Sequence, residues 1–260
     1  MMKRVIKLVL STLVWVADEC RGALLRLTGR KAPGRAVILY YHGVRKEETG
    51  MFERQMEQLL RCAQPIAADW QGPLEPGKRY VAVTFDDAFL SVAENAWPAM
   101  EHRRIPALVF VPTGYLGQVP GWLTNPRSKA GKEIVMTPKQ LRDLGRKPLM
   151  TLGSHTVFHR RMDRLGEADA RVDLFESKSQ LEAVLGRSID TFSFPHGAYT
   201  PRVLELAREA GYRVVYGISP TCSEAEFGGF LLGRVAAEPD DWAWEFRLKM
   251  AGAYRWMAKA

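Results

Sequence analysis

Cysteine is scarce: Cys20, Cys62 and Cys222 are the only three in 260 residues, and no CxxC pair occurs. An odd, scattered set of thiols cannot form a disulfide framework, so a packed core has to hold the fold. No apolar run approaches the ~20 residues that a membrane-spanning helix needs, which excludes a multi-span membrane protein. Dense basic blocks are also missing. The 37 Lys and Arg outweigh 29 Asp and Glu to give a net charge of +8, but they are spread along the chain. That balance suits an anionic partner such as anionic lipid or an anionic sugar carrier, and it does not single out nucleic acid. With 47% hydrophobic and 25% charged residues, disorder and low complexity are excluded as well.

The length allows one catalytic-size domain with short extensions. Three segments are expected: 1–30, 36–238 and 239–260. The first begins Met1-Met2-Lys3-Arg4 and continues with a short apolar run. This start resembles a signal peptide, but Trp15 stands where the cleavage site needs a small residue. Val5, Val9, Leu13, Val16, Cys20, Leu24 and Leu27 recur at helical spacing, with Lys3, Arg4, Lys7, Arg21, Arg26 and Arg30 around them. The pattern predicts an amphipathic helix lying in a membrane interface, with packing on the domain's own surface as the alternative. Residues 239–260 have a similar aromatic and basic character: Trp242, Trp244, Phe246, Tyr254 and Trp256 alternate with Arg247, Lys249, Arg255 and Lys259. A second amphipathic helix is expected there, on the membrane or beside the first.

Between these ends, β-type runs alternate with amphipathic stretches. Strands are expected at 36–41, 80–85, 107–111, 150–153, 191–194, 213–218 and 231–236. Helices are expected over 52–63, around 89–103, from Thr137-Pro138 to Gly145, over 170–185, and from Thr200-Pro201 to Gly211. The alternation argues for an α/β fold with a parallel sheet. The seven strands suggest a closed or nearly closed α/β barrel, with an open doubly wound sheet as runner-up.

The reactive residue types follow the strands. His42 follows the first, Asp86-Asp87 the second, His155 and His159 the fourth and His196 the fifth, while Arg234 lies on the seventh. In α/β barrels the active site is built at the C-terminal ends of the strands. Two adjacent carboxylates after an apolar strand are costly to desolvate unless paired or metal-bound, although a single Asp there would serve as a helix cap. An i, i+4 pair of histidines on one side of a helical turn can share a metal. Two histidines and a carboxylate leave coordination positions open for chemistry. His42 alone could equally be a core histidine. In Phe194-Pro195-His196-Gly197-Ala198-Tyr199, Pro and Gly shape a loop whose N–H groups can face a ligand.

Thr84-Phe85-Asp86-Asp87, Ser154-His155-Thr156-Val157-Phe158-His159 and Phe194-Pro195-His196-Gly197 resemble, in order and spacing, the first three motifs of the NodB-type polysaccharide deacetylases, carbohydrate esterase family 4. The resemblance covers roughly residues 36–238 and implies a distorted (β/α)7 barrel, in agreement with the strand count. It also implies Asp86 as general base, and Asp87, His155 and His159 as ligands of one divalent ion, zinc in the first place with other transition metals open. Pro195, Gly197, Tyr199 and Arg234 are the expected substrate-binding positions, a backbone N–H near Tyr199 facing the oxyanion. The sequence departs from the usual family in two ways. No His occurs after His196, so the usual late Leu-His pair is missing. Tyr40-Tyr41-His42-Gly43 is instead similar to the biofilm poly-N-acetylglucosamine deacetylases, in which the last strand is permuted to the front, and this implies His42 as general acid. The arginine that usually precedes the third motif is also absent, and Arg234 is a candidate replacement, with a purely structural salt bridge as the other reading.

The segment 113–136 is long for a loop and carries Tyr115, Trp122, Arg127, Lys129 and Lys132, so it is either functional or a barrel cap. The expected function is a metal-dependent deacetylase acting on an N-acetylated glycan or lipid-linked amino sugar, in peripheral contact with an anionic inner membrane, on its cytoplasmic side. A deformylase of a lipid-linked formamido sugar and a catalytically dead glycan-binding barrel are the rivals. A nucleic-acid partner is not expected.

Overall fold

A computed structural model of the chain describes residues 2–123 and 133–258. Arg127, Lys129, Lys132 and Lys259 lie outside the described residues. Helix α1 (Met2–Leu27) leads into β1 (Arg35–Tyr41) and α2 (Thr49–Cys62). Then come β2 (Arg79–Phe85), α3 (Trp97–His102), β3 (Ala107–Val111), α4 (Pro138–Gly145) and β4 (Met150–Ser154). Helix α5 (Glu167–Leu185), β5 (Thr191–Ser193), α6 (Pro201–Glu209) and β6 (Val214–Tyr216) follow. The chain finishes with β7 (Leu231–Leu232), β8 (Val235–Ala236) and α7 (Ala243–Met250).

Strands β1 to β6 pair in parallel as neighbours in chain order. Strand β7 then pairs with β6 and β8 with β1, both parallel. Only Gly233 and Arg234 separate β7 from β8, so one short segment touches both ends of the sheet and the sheet curls round on itself. This is the distorted (β/α)7 barrel that the family resemblance implied and the strand count agreed with. The expected seventh strand differs in one respect: it is broken in the middle, at the residues that bridge the two edges.

The strands are apolar on both sides because both sides are covered, and β3 is buried at every residue. Alternate residues separate two cores. Val37, Leu39, Val81, Val83, Val109 and Phe192 face the helices, while Ala36, Ile38, Ala82, Leu108, Phe110 and Tyr216 fill the barrel. Local chemistry sets the helix starts. Thr137 and Gln140 form a reciprocal capping box ahead of Pro138, and Thr200 accepts from Val203 N ahead of Pro201. Gly186, in the left-handed region, ends α5. The helix expected around 89–103 is present from Leu90 to His102, with a π-helical stretch inside it. Phe89 forms a bridge with Val135 just ahead of it, the π-helical stretch is Val92–Ala96, and α3 is the regular α-helical part that follows from Trp97.

Both ends of the chain rest on the barrel. Residues 239–260 do not form one long helix; α7 is followed by a 3-10 turn at Arg255–Met257. Phe246, Leu248 and Met250 are buried. Helix α1 lies beside α7, its Arg4 bonded to Glu245 and its Thr12 to Trp244.

Candidate active site

The site forms where β1, β2, β4 and β5 end. Asp86 N–H donates to Tyr41 O at 2.9 Å, continuing the ladder between β2 and β1 by one step. The backbone then turns sharply, with Asp87 at φ 68° and Ala88 at φ 47°. Left-handed backbone at non-glycine residues costs about 1–3 kcal/mol each and persists where the surroundings enforce it. The helix-cap alternative for this pair fails, because helical backbone begins only at Leu90, which puts Phe89 rather than either Asp in the cap position. Both carboxylates are buried instead at the barrel mouth.

His155 and His159 converge, but not on a helical turn as expected. The segment is a loop in which Thr156 and His159 take positive φ, 66° and 54°. Two side chains hold it: Thr156 Oγ1 accepts from His159 N at 2.9 Å, and Asp173 Oδ1, on α5, accepts from Val157 N at 2.6 Å. The result places one ligand atom each from Asp87, His155 and His159 within 4.8 Å of one another. Asp87 Oδ1 lies 3.2 Å from His159 Nε2 and 3.7 Å from His155 Nε2. His155 Nδ1 is 2.8 Å from Ser193 O. A carbonyl only accepts, so Nδ1 carries the proton and Nε2 turns its lone pair toward Asp87.

Asp87 Oδ1 is buried and has no hydrogen-bond partner among the described residues. A carboxylate oxygen and imidazole nitrogens that meet without a donor between them make a donor set for a divalent cation of the zinc type. The electrostatics agree. Burial, then the adjacent Asp86 charge, pushes the Asp87 carboxyl well above its ordinary range. Burial lowers the His155 imidazole to about 4 and the His159 imidazole to about 2, so both are neutral and basic nitrogen is available to a cation near neutral pH.

Asp86 is held differently. Burial alone would raise its carboxyl, but the Arg234 guanidinium outweighs burial and holds it at about 2. Arg234 Nη1 donates to Oδ1 at 2.7 Å and Nη2 to Oδ2 at 2.9 Å, a fork on a fork. The remaining donors of the guanidinium are used too. Nη1 reaches Thr84 Oγ1 at 3.0 Å, Nη2 reaches Ser193 Oγ at 2.7 Å, and Nε reaches Gly217 O at 3.1 Å. Arg234 is fully buried. The expectation that it binds substrate is therefore corrected: every donor is engaged within the protein, and its partner is Asp86.

Over this floor lies a cavity of about 680 Å³, lined by Asp86, Asp87 and four of the five histidines, His42, His155, His159 and His196. His42 is open to the cavity yet ringed by protein, and burial lowers its imidazole pKa. Trp122, from the long segment after β3, stacks on His159 with ring centroids 4.0 Å apart, and Tyr115 meets the Trp122 edge at 4.8 Å. Pro195, Gly197 and Tyr199 shape the loop rather than line this cavity. Pro195 is buried, Tyr199 rests on Phe194, and a Cβ on Gly197 would meet Ile218 Cγ1 at 2.3 Å. The loop instead contributes His196, at φ 57°. Sequence reasoning missed Ser193 and Asp173. Ser193 stands two residues before the Pro195-His196 pair, which is a usable signal. Asp173 gave none.

The chain is similar to known proteins over most of this region. A family model described as polysaccharide deacetylase matches residues 74–215. YxkH of Bacillus subtilis (strain 168) is 21% identical over 218 residues, which is 80% of this chain and 73% of that one. The poly-beta-1,6-N-acetyl-D-glucosamine N-deacetylase of Staphylococcus aureus is 24% identical over 171 residues, covering 63% of this chain but only 56% of that relative. Among solved structures, IcaB from Ammonifex degensii superposes with a TM-score of 0.70 at 26% identity, covering 86% of this chain and 98% of that one. The Streptococcus pyogenes deacetylase PplD superposes at 0.64 with 21% identity, covering 80% and 95%, and so supports the fold. With more than half of its length matched by the family model and the Asp-Asp, His-x3-His and Pro-His segments gathered at one cavity, the chain belongs to the polysaccharide deacetylase family, whose members hydrolyse amide bonds.

Proposed function

We propose that this protein removes the N-acetyl group from an amino sugar of a cell-envelope glycan, releasing acetate and leaving a free amine on the sugar. The observation that carries the reading is the division of labour between adjacent carboxylates. Asp86 is clamped and ionised by Arg234, while Asp87 faces two neutral imidazoles with an unpartnered oxygen. A glycan-binding barrel without chemistry needs neither arrangement. The Staphylococcus aureus relative is named for poly-beta-1,6-N-acetyl-D-glucosamine, which supports an N-acetylated hexosamine as the substrate class, and a lipid-linked amino sugar belongs to the same class.

Asp87, His155 and His159 would hold one divalent ion, zinc in the first place. Such an ion supplies Lewis acidity and lowers the pKa of water at neutral pH. Asp86 accepts the proton of the attacking water, and Arg234 keeps the two carboxylate oxygens oriented and ionised for that role. The water oxygen bonds to the acetamide carbonyl carbon and the carbon–nitrogen bond breaks. The amine nitrogen takes a proton from His42, which opens on the same cavity. Trp122 offers an aromatic face beside His159 on which a sugar ring can stack.

The test is acetate release from N-acetylglucosamine oligomers, together with metal per chain by elemental analysis. Wild type should bind about one ion per chain and release acetate. His155→Ala should lose both, and Asp86→Asn should keep the metal and lose the activity. An Asp86→Asn variant with full activity, or a wild type that binds no divalent ion, would sink the reading.

A further inference from the structure

Helix α1 has two faces, and only one is in use. Toward the barrel it is pinned by polar contacts. Arg4 binds Glu245 at 2.7 Å, buried Ser11 accepts from Trp256 at 3.0 Å, and Asp18 is gripped by Arg255 at 2.8 Å and Arg35 at 2.7 Å. Glu19 is bonded to Arg79. Away from the barrel the same helix presents Val5, Val9, Leu13, Val16, Leu24 and Leu27, between 43% and 85% exposed. With the exposed Cys20 they follow the i, i+3, i+4 spacing and form one continuous apolar strip about 34 Å long, from Val5 to Leu27 at about 1.5 Å per residue. A strip of this size is unusual on a soluble monomer and marks a docking surface. Among the described residues no helix is long and apolar enough to cross a membrane, and a strip confined to one face of a helix suits lying along a surface.

Charge identifies the occupant. Both acids of α1, Asp18 and Glu19, are committed inward. Lys3, Lys7, Arg21 and Arg26 are exposed around the strip, and among the described residues they form no ion pair. Two copies meeting strip to strip would bring these cations together. An anionic bilayer would neutralise them while burying the strip.

The helix also fixes an orientation. Arg4 donates to Asp240 O at 3.2 Å, and Asp240 lines the catalytic cavity. At the other end Asp18 and Glu19 reach Arg35 and Arg79, the first residues of β1 and β2. Helix α1 therefore runs down the side of the barrel, from the cavity end to the opposite end. We propose that the outer face of α1 docks the protein on an anionic lipid bilayer, side-on, so that the cavity opens along the membrane surface toward glycan held close to it. The docking stands apart from the deacetylase reading; only its use, reaching an amino sugar near the lipid, rests on that reading.

The experiment is co-sedimentation of the full chain with vesicles of phosphatidylcholine alone and of phosphatidylcholine mixed with phosphatidylglycerol. A fluorophore on Cys20, which is exposed on the strip, reports insertion. Binding should require phosphatidylglycerol, and the label should shift to shorter wavelength. Val9→Glu and Leu13→Glu should each weaken partitioning by about tenfold or more, with circular dichroism and melting temperature unchanged because both side chains point away from the barrel. Lys3→Glu with Lys7→Glu should weaken binding without touching the strip. Acetate release from soluble oligomers should be the same in all of these variants. Failure to bind the mixed vesicles, binding indifferent to Leu13→Glu, or a dimer in solution dispersed by Leu13→Glu would each overturn the proposal. None of these outcomes depends on whether the cavity deacetylates anything.

Discussion

Arg234 and Asp86 are 148 residues apart in the chain and meet as two parallel hydrogen bonds of 2.7 and 2.9 Å inside the barrel. Removing one partner of a buried pair strands the other charge, at a cost of about 3–5 kcal/mol. Arg234→Met should therefore lower stability by about that much, measured by denaturant unfolding. Arg234→Lys keeps the charge but loses the fork. In that variant the Asp86 carboxyl should rise, and the acid limb of the kcat profile should move to higher pH; a purely structural arginine would leave the limb in place. The same pair sets an acid dependence of stability. The folded value of about 2 lies below the unfolded one, so the contribution is complete above about pH 4 and disappears as pH falls toward 2.

Asp87 should give the opposite signature. Its carboxyl is raised by burial and by Asp86, and a cation requires the ionised form. Metal uptake by the apoprotein should therefore release a proton and weaken as pH falls. Titration calorimetry in two buffers of different ionisation heat measures the proton count directly. His159→Ala should abolish the uptake.

Asp173 touches neither the cavity nor the ligand atoms, yet it holds Val157 N at 2.6 Å and Arg160 at 3.3 Å. Asp173→Ala leaves a buried N–H without its acceptor, worth about 1–3 kcal/mol. The His155 to His159 loop should loosen and metal affinity fall with every ligand still present. Asp173→Asn retains an acceptor oxygen and should recover most of that affinity, as read by metal competition.

Trp122→Ala removes the ring stacked on His159 at 4.0 Å. If the indole serves as a platform for the sugar, KM for N-acetylglucosamine oligomers should rise by about tenfold, with metal content retained. A change in kcat alone would assign Trp122 to holding His159 instead.

The strands and the cluster of four histidines were legible in the sequence because their signals are local: apolar runs, and reactive residues immediately after them. The loop geometry was not. HxxxH reads as a helical turn, and only the left-handed Thr156 and His159 make it something else. Those conformations depend on Asp173, an acid in α5 that no short-range pattern connects to the histidines. Arg234 was visible as a candidate, but its partner was not, because the pairing depends on how the sheet closes. For α1 the apolar stripe was plain in the sequence. It took the structure to reveal that the helix rests on the barrel by its polar, tryptophan-bearing side and leaves the stripe outside.

The broken strand from Leu231 to Ala236 also constrains how the protein is made. A nascent chain that has emerged only as far as Ser219 already holds both carboxylates and all four cavity histidines. It has no guanidinium for Asp86 and nothing to join β6 to β1. When β7 and β8 dock, the seam closes and Asp86 is clamped in the same step, because Arg234 sits in the seam itself. On the proposed mechanism, hydrolytic competence arrives with completion of the fold. A chain interrupted before this segment, or nicked within it, should therefore release no acetate.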